Sequence, residues 1–344
     1  MFTSISEDLL TWYAAQARDL PWRNPPAEPV PNDPAWPYRV WLSEVMLQQT
    51  TVAAVKPYFA KFIETWPTVE DLAGASDDEV MAAWAGLGYY SRARNLVKCA
   101  RVVAQRGGFP TTEAELRELP GLGAYTAAAI AAIAFGQRAV VVDANVERVV
   151  SRLFNITEPL PQSRKAIREA TDQVTPEARA GDFAQAMMDL GSSICTSKSP
   201  RCLLCPVRDA CEGLKAGEPE RLPVKPPKKS KPERTGTAFW IERDSHVWLV
   251  TREGAGMLGG MRALPDDGWN ARSDGSGEPP ISAQWESLGA VRHTFTHAHL
   301  TLSLKKARDV VPNGEGEWWP IDQLDSAGLP TLFAKVSRLA LAKD

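Results

Sequence analysis

A proline-rich and basic segment divides this chain into two parts of different character. Residues 221–234, RLPVKPPKKSKPER, contain four prolines, six basic residues and one acid. This composition buries too little apolar surface to offset the entropy cost of folding, so we expect an extended linker. The segment therefore predicts two domains, over residues 1–220 and 235–344.

The hydrophobic pattern differs on the two sides of the linker. Ten helices are expected before it, over residues 7–17, 40–49, 52–65, 77–84, 92–105, 113–118, 124–135, 145–154, 164–173 and 183–190. Beyond it, residues 237–253 predict a β-hairpin that turns at residues 243–245, and residues 287–307 contain further alternating runs. The expected fold is multidomain, a mostly α-helical domain followed by an α+β domain. No structure is assigned to the proline-rich residues 24–37.

Composition and charge limit the possible partners. The longest apolar stretch, residues 126–135, is much shorter than the roughly 18 residues of a membrane span. The first ten residues contain two acids and no base, unlike a secretory signal, so we expect a cytoplasmic protein without membrane contact. The 39 basic and 42 acidic residues give a net charge of −3, so any affinity for nucleic acid must be local. Residues 195–234 hold ten basic and five acidic residues, a net charge of +5.

Four of the five cysteines form the pattern C-x6-C-x2-C-x5-C, at Cys195, Cys202, Cys205 and Cys211. No histidine precedes His246, so four thiolates are the only soft ligands near this segment. The spacing favours a [4Fe-4S] cluster, with zinc or unrelated buried thiols as alternatives. Basic residues within the segment suit contact with phosphate. Cys99 is expected to be an ordinary packed thiol.

A glycine-containing turn before an alanine-rich helix predicts an anion site. In LPGLGAYTAAAIAAIAF, residues 119–135, Gly121 and Gly123 leave the N–H groups of the following helix unobstructed. An ordinary helix-turn-helix corner is the alternative.

A basic and aromatic stretch precedes that turn. Residues 88–106 contain five basic residues and no acid, with Arg94, Lys98 and Arg101 on one helix face. A solvated face explains this equally well. The loop before it carries Tyr89 and Tyr90, which are expected to offer aromatic surface to bases.

Two isolated carboxylates complete the candidate chemistry. Glu44 lies among apolar residues, which disfavour its charged form and suit a general acid. Asp143 follows an apolar run and precedes a helix start, where an N-cap is the alternative role. An acid and a carboxylate that face one bond would support glycosidic cleavage through an oxocarbenium-like transition state.

These motifs together resemble the helix-hairpin-helix DNA glycosylases that carry an iron-sulfur cluster, and among them the MutY-type adenine DNA glycosylases. The resemblance covers residues 5–215 through LPWR, VWLSEVMLQQT, GLGYYSRARNL, LPGLGAYTAAAI, VVDANVERV, FAQAMMDLGSSICT and the cysteine segment. Residues 235–344 resemble the family's Nudix-like C-terminal domain more weakly, through GMLGGMRALP and HTFTHAHL. The Glu-rich helix of Nudix hydrolases has no counterpart, which implies that this domain binds and does not hydrolyse.

The resemblance implies roles for individual residues. Glu44 matches the acid that protonates adenine N7 and then handles the water, and Asp143 matches the carboxylate that stabilises the sugar cation. Tyr125 and Asn145 match residues that support them. The adenine pocket is matched by Trp22, Arg23, Leu47 and Gln185, the wedge in the base stack by Gln49 and Tyr89, and the phosphate anchor by Gly121 and Gly123. The four cysteines match the ligands of the [4Fe-4S] cluster.

The implied reaction is excision of adenine, flipped out of duplex DNA, opposite 8-oxoguanine or guanine. Because the target base is undamaged, selectivity must come from the opposite base, and Phe295, Thr296 and His297 match the residues that contact 8-oxoguanine. Thr296 stands where many members have serine. Related bifunctional enzymes have lysine where this chain has Tyr125, which implies a monofunctional enzyme without efficient strand cleavage. A monomer that associates with the bacterial nucleoid while it acts is expected.

Two other functions remain open from the sequence. An endonuclease III-like enzyme that removes oxidised pyrimidines shares the fold and the cluster, but it would carry the lysine and lack the second domain. A non-catalytic iron-sulfur protein that binds DNA or carries electrons would have no use for paired Glu44 and Asp143.

Overall fold

The computed structural model describes residues 2–227, 230–253 and 257–342. The chain forms two compact units, Met1–Gly74 with Asn95–Lys228 and Ala75–Arg94 with Lys229–Asp344. Lys228 and Lys229 of the predicted linker and Gly256 of the GMLGGMRALP motif lie outside the described residues.

Helices make up the regular structure of the first part of the chain. Their bounds are α1 Phe2–Gln16, α2 Trp36–Leu47, α3 Val52–Thr65, α4 Val69–Gly74, α5 Asp77–Trp84, α6 Ser91–Arg106, α7 Glu113–Leu116, α8 Ala124–Phe135, α9 Ala144–Leu153, α10 Arg164–Val174, α11 Ala180–Ser193 and α12 Glu212–Lys215. The bounds of α3, α5 and α8 are those that the sequence predicts. The mostly helical fold class of this part is confirmed.

Several predicted boundaries differ from the structure. Helix α4 was absent from the expected set, because its six residues are too short for a periodic pattern. Helix α2 begins at Trp36, inside the segment that was left without structure, and Trp36 is buried. In the segment expected to be an extended linker, Leu222 is buried and strand β1 begins at Glu233.

Helix α8 lies at the centre of the first unit. All nine residues from Thr126 to Ala134 are buried, and α8 packs against α2, α7 and α11. Its small side chains allow this, because a helix that is apolar on every face can be buried on every face. The helix ends at Gly136, whose φ of 65° is the left-handed conformation that terminates a helix.

The second unit contains helix α5, a mixed β-sheet and helix α13. The strands are β1 Glu233–Arg243, β2 His246–Thr251, β3 Arg262–Ala263, β4 Glu286–Thr294, β5 His299–Arg308 and β6 Glu317–Pro320. Their order is β3-β2-β1-β5-β4, with β6 paired to β2, and only β1 and β5 are parallel among the described pairs. Helix α13 (Thr331–Leu341) packs on β4 and β5 around Trp240, Trp269 and Phe333. The predicted β1–β2 hairpin and the α+β class are confirmed.

No helix in the described ranges is long and apolar enough to cross a membrane.

The two glycines before α8 make different demands, which gives a test of the fold. Gly121 has a φ of +78°, and a Cβ there would lie 2.6 Å from Cβ of Asn95. Gly123 has a φ of −86° and open space around it. We therefore expect Gly121→Ala to lower the free energy of unfolding by about 1–3 kcal/mol and Gly123→Ala, at the N-cap of α8, to lower it by less than about 1 kcal/mol. Urea denaturation compares them, and equal losses would contradict this account.

Candidate active site

A cavity of about 1160 Å³ in the first unit brings together most of the predicted site residues. It is lined by the catalytic candidates Glu44, Tyr125, Asp143 and Asn145, by the pocket candidates Trp22, Arg23, Leu47 and Gln185, and by Gln49. These residues come from α2, α8, α9, α11 and three loops. The cavity is large enough for a nucleobase and its sugar.

Glu44 lies on the buried face of α2, and its side chain is only 6% exposed. Tyr125, at the start of α8, donates a hydrogen bond from its hydroxyl to Glu44 Oε2 at 2.6 Å. Burial raises the pKa of Glu44 to about 7, against a smaller lowering by this hydrogen bond, while the charge of Asp143 raises it further. A carboxyl group in this environment carries a proton near neutral pH and can donate it.

Asp143 is the N-cap of α9. Its Oδ1 accepts from the Val146 backbone N–H at 2.7 Å, and its Oδ2 accepts from Asn145 Nδ2 at 2.9 Å. The N-cap alternative considered from the sequence is therefore correct, and the same carboxylate also lines the cavity. The two donors hold the carboxylate in a fixed orientation at the start of α9.

The adenine-pocket candidates form buried walls of the cavity. Trp22 is buried and packs edge-on against Phe59, with ring centroids 5.1 Å apart. Gln185 is buried and donates to the Gly181 carbonyl, whereas Leu47 is half-buried. The guanidinium of Arg23 is held by a buried carboxylate, Asp189, at 2.7 and 2.8 Å.

The wedge candidates share an unusual backbone conformation. Gln49 is exposed with a φ of 59°, and Tyr89 is 44% exposed with a φ of 49°. Non-glycine residues in this region are strained and occur preferentially at functional sites. Tyr90, which was expected to offer aromatic surface together with Tyr89, is only 7% exposed and belongs to the core.

The three residues expected to contact 8-oxoguanine occupy the tip of the β4–β5 hairpin in the second unit. Phe295 closes the turn by donating its N–H to the Ala298 carbonyl at 2.8 Å and packs against Trp269. Thr296 and His297 are exposed. The Thr296 hydroxyl donates to the Tyr89 hydroxyl at 3.1 Å, which joins two predicted DNA-contact residues that are far apart in sequence.

The four clustered cysteines line one small cavity of about 30 Å³ with Arg152. Arg152 is fully buried and donates to Cys195 Sγ at 3.3 Å and to the Thr196 carbonyl at 2.7 Å. Within the described part of the chain, no group of three or more His, Cys, Asp or Glu side chains is arranged to hold a metal ion. Cys99 is fully buried, and burial raises its pKa to about 12, as expected of a packed thiol.

Sequence reasoning missed an arginine that connects the cavity to the cysteine segment. Arg148 of α9 donates to Asn145 Oδ1 at 2.9 Å, to the Gly191 carbonyl at 2.6 Å and to the Cys195 carbonyl at 2.7 Å. The catalytic candidate Asn145 and the first cysteine are thereby held by one side chain. Arg148 follows Asn145 by one helical turn, but only the tertiary contacts reveal its role.

Comparison with known proteins gives the family of the chain. Residues 42–177 match the HhH-GPD superfamily of base excision DNA repair proteins, and residues 237–339 match the NUDIX domain. The adenine DNA glycosylase of Homo sapiens is 34% identical over 406 residues, covering 98% of this chain and 74% of the human protein. That of Mus musculus is 45% identical, covering 98% and 78%. The chain belongs to the adenine DNA glycosylases.

The fold of the glycosylase is also found in a solved structure. A trapped covalent intermediate of endonuclease III with DNA is 25% identical, with a TM-score of 0.51, and the match covers 61% of this chain and 94% of that one. The chain is thus an adenine-specific DNA N-glycosylase of base excision repair, a hydrolase that acts on DNA, with a helix-hairpin-helix glycosylase fold and a Nudix-like C-terminal fold.

The buried acid gives the glycosylase a pH-dependent stability. The folded state binds the Glu44 proton with a pKa of about 7, against 4.5 in an exposed glutamate, so Glu44 costs stability as the pH rises through this interval. Glu44→Gln never ionises. When the pH rises from about 5 to about 8, we expect the free energy of unfolding of Glu44→Gln to rise by roughly 2–3 kcal/mol relative to that of the parent. Urea denaturation at both pH values measures this, with Glu118→Gln at an exposed position as the control. The same difference at both pH values would show that Glu44 is not held protonated.

Proposed function

We propose that this glycosylase excises adenine paired with 8-oxoguanine or guanine in duplex DNA, after the adenine is flipped into the cavity that contains Glu44. The observation that carries the proposal is the meeting of Glu44, Tyr125, Asp143 and Asn145 in one cavity with the buried walls Trp22 and Gln185. An adenine within a duplex cannot reach a buried carboxyl group, so the base must leave the stack.

The acid of the reaction is Glu44. Adenine is a poor leaving group until N7 is protonated, and a carboxyl with a pKa of about 7 supplies that proton near neutral pH. The hydroxyl of Tyr125 fixes the orientation of the carboxyl through its hydrogen bond. After the base leaves, Glu44 as carboxylate accepts a proton from the attacking water.

Asp143 stabilises the positive charge that develops at C1′ as the glycosidic bond breaks. Its two hydrogen bonds hold the carboxylate in place before the substrate binds. Such preorganised charge lowers the barrier because no reorganisation is needed in the transition state.

Recognition of the opposite base belongs to the hairpin tip with Phe295, Thr296 and His297. Phe295 is anchored to the core of the second unit, and Lys231 donates to its carbonyl at 2.8 Å, so the tip has a fixed backbone. The exposed Thr296 hydroxyl and His297 imidazole offer hydrogen-bonding groups to 8-oxoguanine. Gln49 and Tyr89 fill the stack, and the N–H groups after Gly121 and Gly123 bind phosphate.

Strand cleavage is not part of this function. It requires an amine that attacks C1′ to form a Schiff base. Tyr125 occupies the second position after Gly123, and no lysine occurs between residues 110 and 164. We expect an intact abasic strand as the product of a monomeric, cytoplasmic enzyme that is bound to the nucleoid while it acts.

A [4Fe-4S] cluster is assigned to Cys195, Cys202, Cys205 and Cys211. Their thiols surround one cavity whose other walls include Ile194, Pro200 and Leu214, and no nitrogen ligand from histidine precedes His246. Four thiolates in an apolar site fit the donor set of such a cluster. When bound, the cluster supplies iron–thiolate bonds that hold the segment, and the exposed Lys198 and Arg201 then face phosphate.

Single-turnover excision tests the function. Duplexes with adenine opposite 8-oxoguanine, adenine opposite guanine, and thymine glycol opposite adenine are incubated with the protein, then split into samples with and without alkali. We expect adenine loss, strand breaks only after alkali, and a rate lower by at least about 10²-fold in Glu44→Gln. Release of thymine glycol, or borohydride trapping at the rate of base loss, would favour the endonuclease III-like alternative. If no base is released from any duplex, the result would favour a non-catalytic DNA-binding protein.

The same assay tests the hairpin tip. Phe295→Ala combined with His297→Ala should shrink the preference for 8-oxoguanine over guanine while adenine excision opposite guanine persists. His246→Ala, at the start of β2, is the matched control. An unchanged preference would place lesion recognition elsewhere.

Iron content tests the cluster. The purified protein should be yellow-brown with about four irons per chain, and Cys202→Ser should lower the iron content and the thermal midpoint. The replacement Cys99→Ser controls for loss of a thiol in the iron measurement, where it should change nothing; it does not control the thermal midpoint, because a hydroxyl in this buried position is itself destabilising. One zinc per chain in a colourless, active preparation would contradict the assignment.

A further inference from the structure

A buried ion-pair cluster lies beside the cavity and has no role in the mechanism above. Asp189 of α11 has a side chain that is 1% exposed. Its Oδ2 accepts from Arg23 Nη1 at 2.7 Å and its Oδ1 accepts from Arg23 Nη2 at 2.8 Å. Arg18 adds a bond from Nε to Oδ1 at 2.7 Å and one from Nη2 at 2.6 Å.

The two arginines differ in their surroundings. The side chain of Arg23 is 7% exposed and that of Arg18 is 35% exposed, so solvent screens Arg18 and hardly screens Arg23. The guanidinium of Arg23 also lies 6.0 Å from the ring centroid of Tyr13. Arg23 is therefore a buried cation whose direct counter-charge is Asp189.

Arg23 and Glu44 line the same cavity. A buried cation beside a carboxyl group favours the ionised carboxylate, which cannot donate a proton. The charge of Arg23 does lower the pKa of Glu44, but this effect is smaller than the rise caused by burial. The other groups that act on Glu44 are Tyr125 of α8 and Asp143 before α9. Further charged residues line the cavity, namely Arg18, Glu147, Arg164 and Arg168.

We propose that Asp189 is a positioning residue that neutralises Arg23 and thereby keeps Glu44 in its proton-carrying form at neutral pH. The bidentate pair directs both terminal nitrogens of Arg23 toward α11 and balances its charge. Arg23 can then form part of the pocket wall without causing Glu44 to lose its proton. This role rests on the proposed function of Glu44 as the proton donor.

Direct titration of Glu44 tests the proposal without reference to activity. The carboxyl carbons of glutamate are labelled with ¹³C in the full chain, and the Glu44 signal is assigned by its loss in Glu44→Gln. Asp189→Asn keeps the shape of the side chain but leaves the Arg23 charge unbalanced. We expect the Glu44 midpoint to fall by about one pH unit, which corresponds to a tenfold change in the proton-binding constant.

Two further variants separate charge from packing. Arg18→Gln removes a cation from Asp189 and should raise the Glu44 midpoint, opposite to Asp189→Asn. Arg23→Gln combined with Asp189→Asn removes the cation together with its partner and should restore the midpoint to the parent value or above. If Asp189→Asn does not fold, these two variants still give the predicted directions.

Excision rates then connect the titration to the reaction. In Asp189→Asn, single-turnover excision of adenine opposite 8-oxoguanine should fall about tenfold at pH 8 and change little at pH 5.5, because the basic limb of the profile moves to lower pH. If the excision rate of Asp189→Asn falls by the same factor at every pH and the Glu44 midpoint is unchanged, the proposal is overturned. The ion pair would then have a purely structural role. A shifted midpoint without adenine excision by the parent protein would instead refute the proposed function and leave the role of Asp189 toward Glu44 intact.

Discussion

The close approach of helix α11 to two neighbouring helices fixes the geometry of the first unit. A Cβ at Gly181 would lie 2.5 Å from the Ala132 carbonyl oxygen in α8, and one at Gly191 would lie 2.6 Å from Cβ of Asn145 in α9. Only glycine permits these distances without a shift of the backbone. Because α8 carries Tyr125 and α9 carries Asn145, the two contacts set the positions from which a hydroxyl reaches Glu44 and an amide reaches Asp143.

Two carboxyl groups of one cavity, those of Glu44 and Asp143, lie in different environments. Glu44 is buried on a helix face, where the loss of water favours the protonated form. Asp143 caps the N-terminus of α9, where a backbone N–H and an amide donate to it. The proposed mechanism uses this difference, with Glu44 as the acid that protonates the leaving adenine and Asp143 as the carboxylate that faces the positive sugar.

Local signals in the sequence predicted several of the capped helix starts. The starts of α3 and α5 follow Thr51 and Ser76, whose side chains accept hydrogen bonds from the first turn. The short helix α4 has the same kind of cap, since Thr68 accepts from the Asp71 N–H at 3.2 Å, but six residues carry no periodic pattern. The start of α2 among prolines has no side-chain cap. The candidate site was predicted through motif resemblance, but its ion pairs were not. Arg23 and Asp189 are 166 residues apart, and no periodic pattern encodes a contact at that separation.

Helix α9 connects the chemistry of the cavity to the cysteine segment. Along its ten residues and cap, Asp143 faces the cavity, Arg148 bonds to Asn145 and to the Cys195 carbonyl, and Arg152 bonds to Cys195 Sγ. An α-helix transmits displacement along its axis because its backbone hydrogen bonds are mutually supporting. One helix therefore holds both the cavity-lining Asp143 and the two arginines that bond to the cysteine segment.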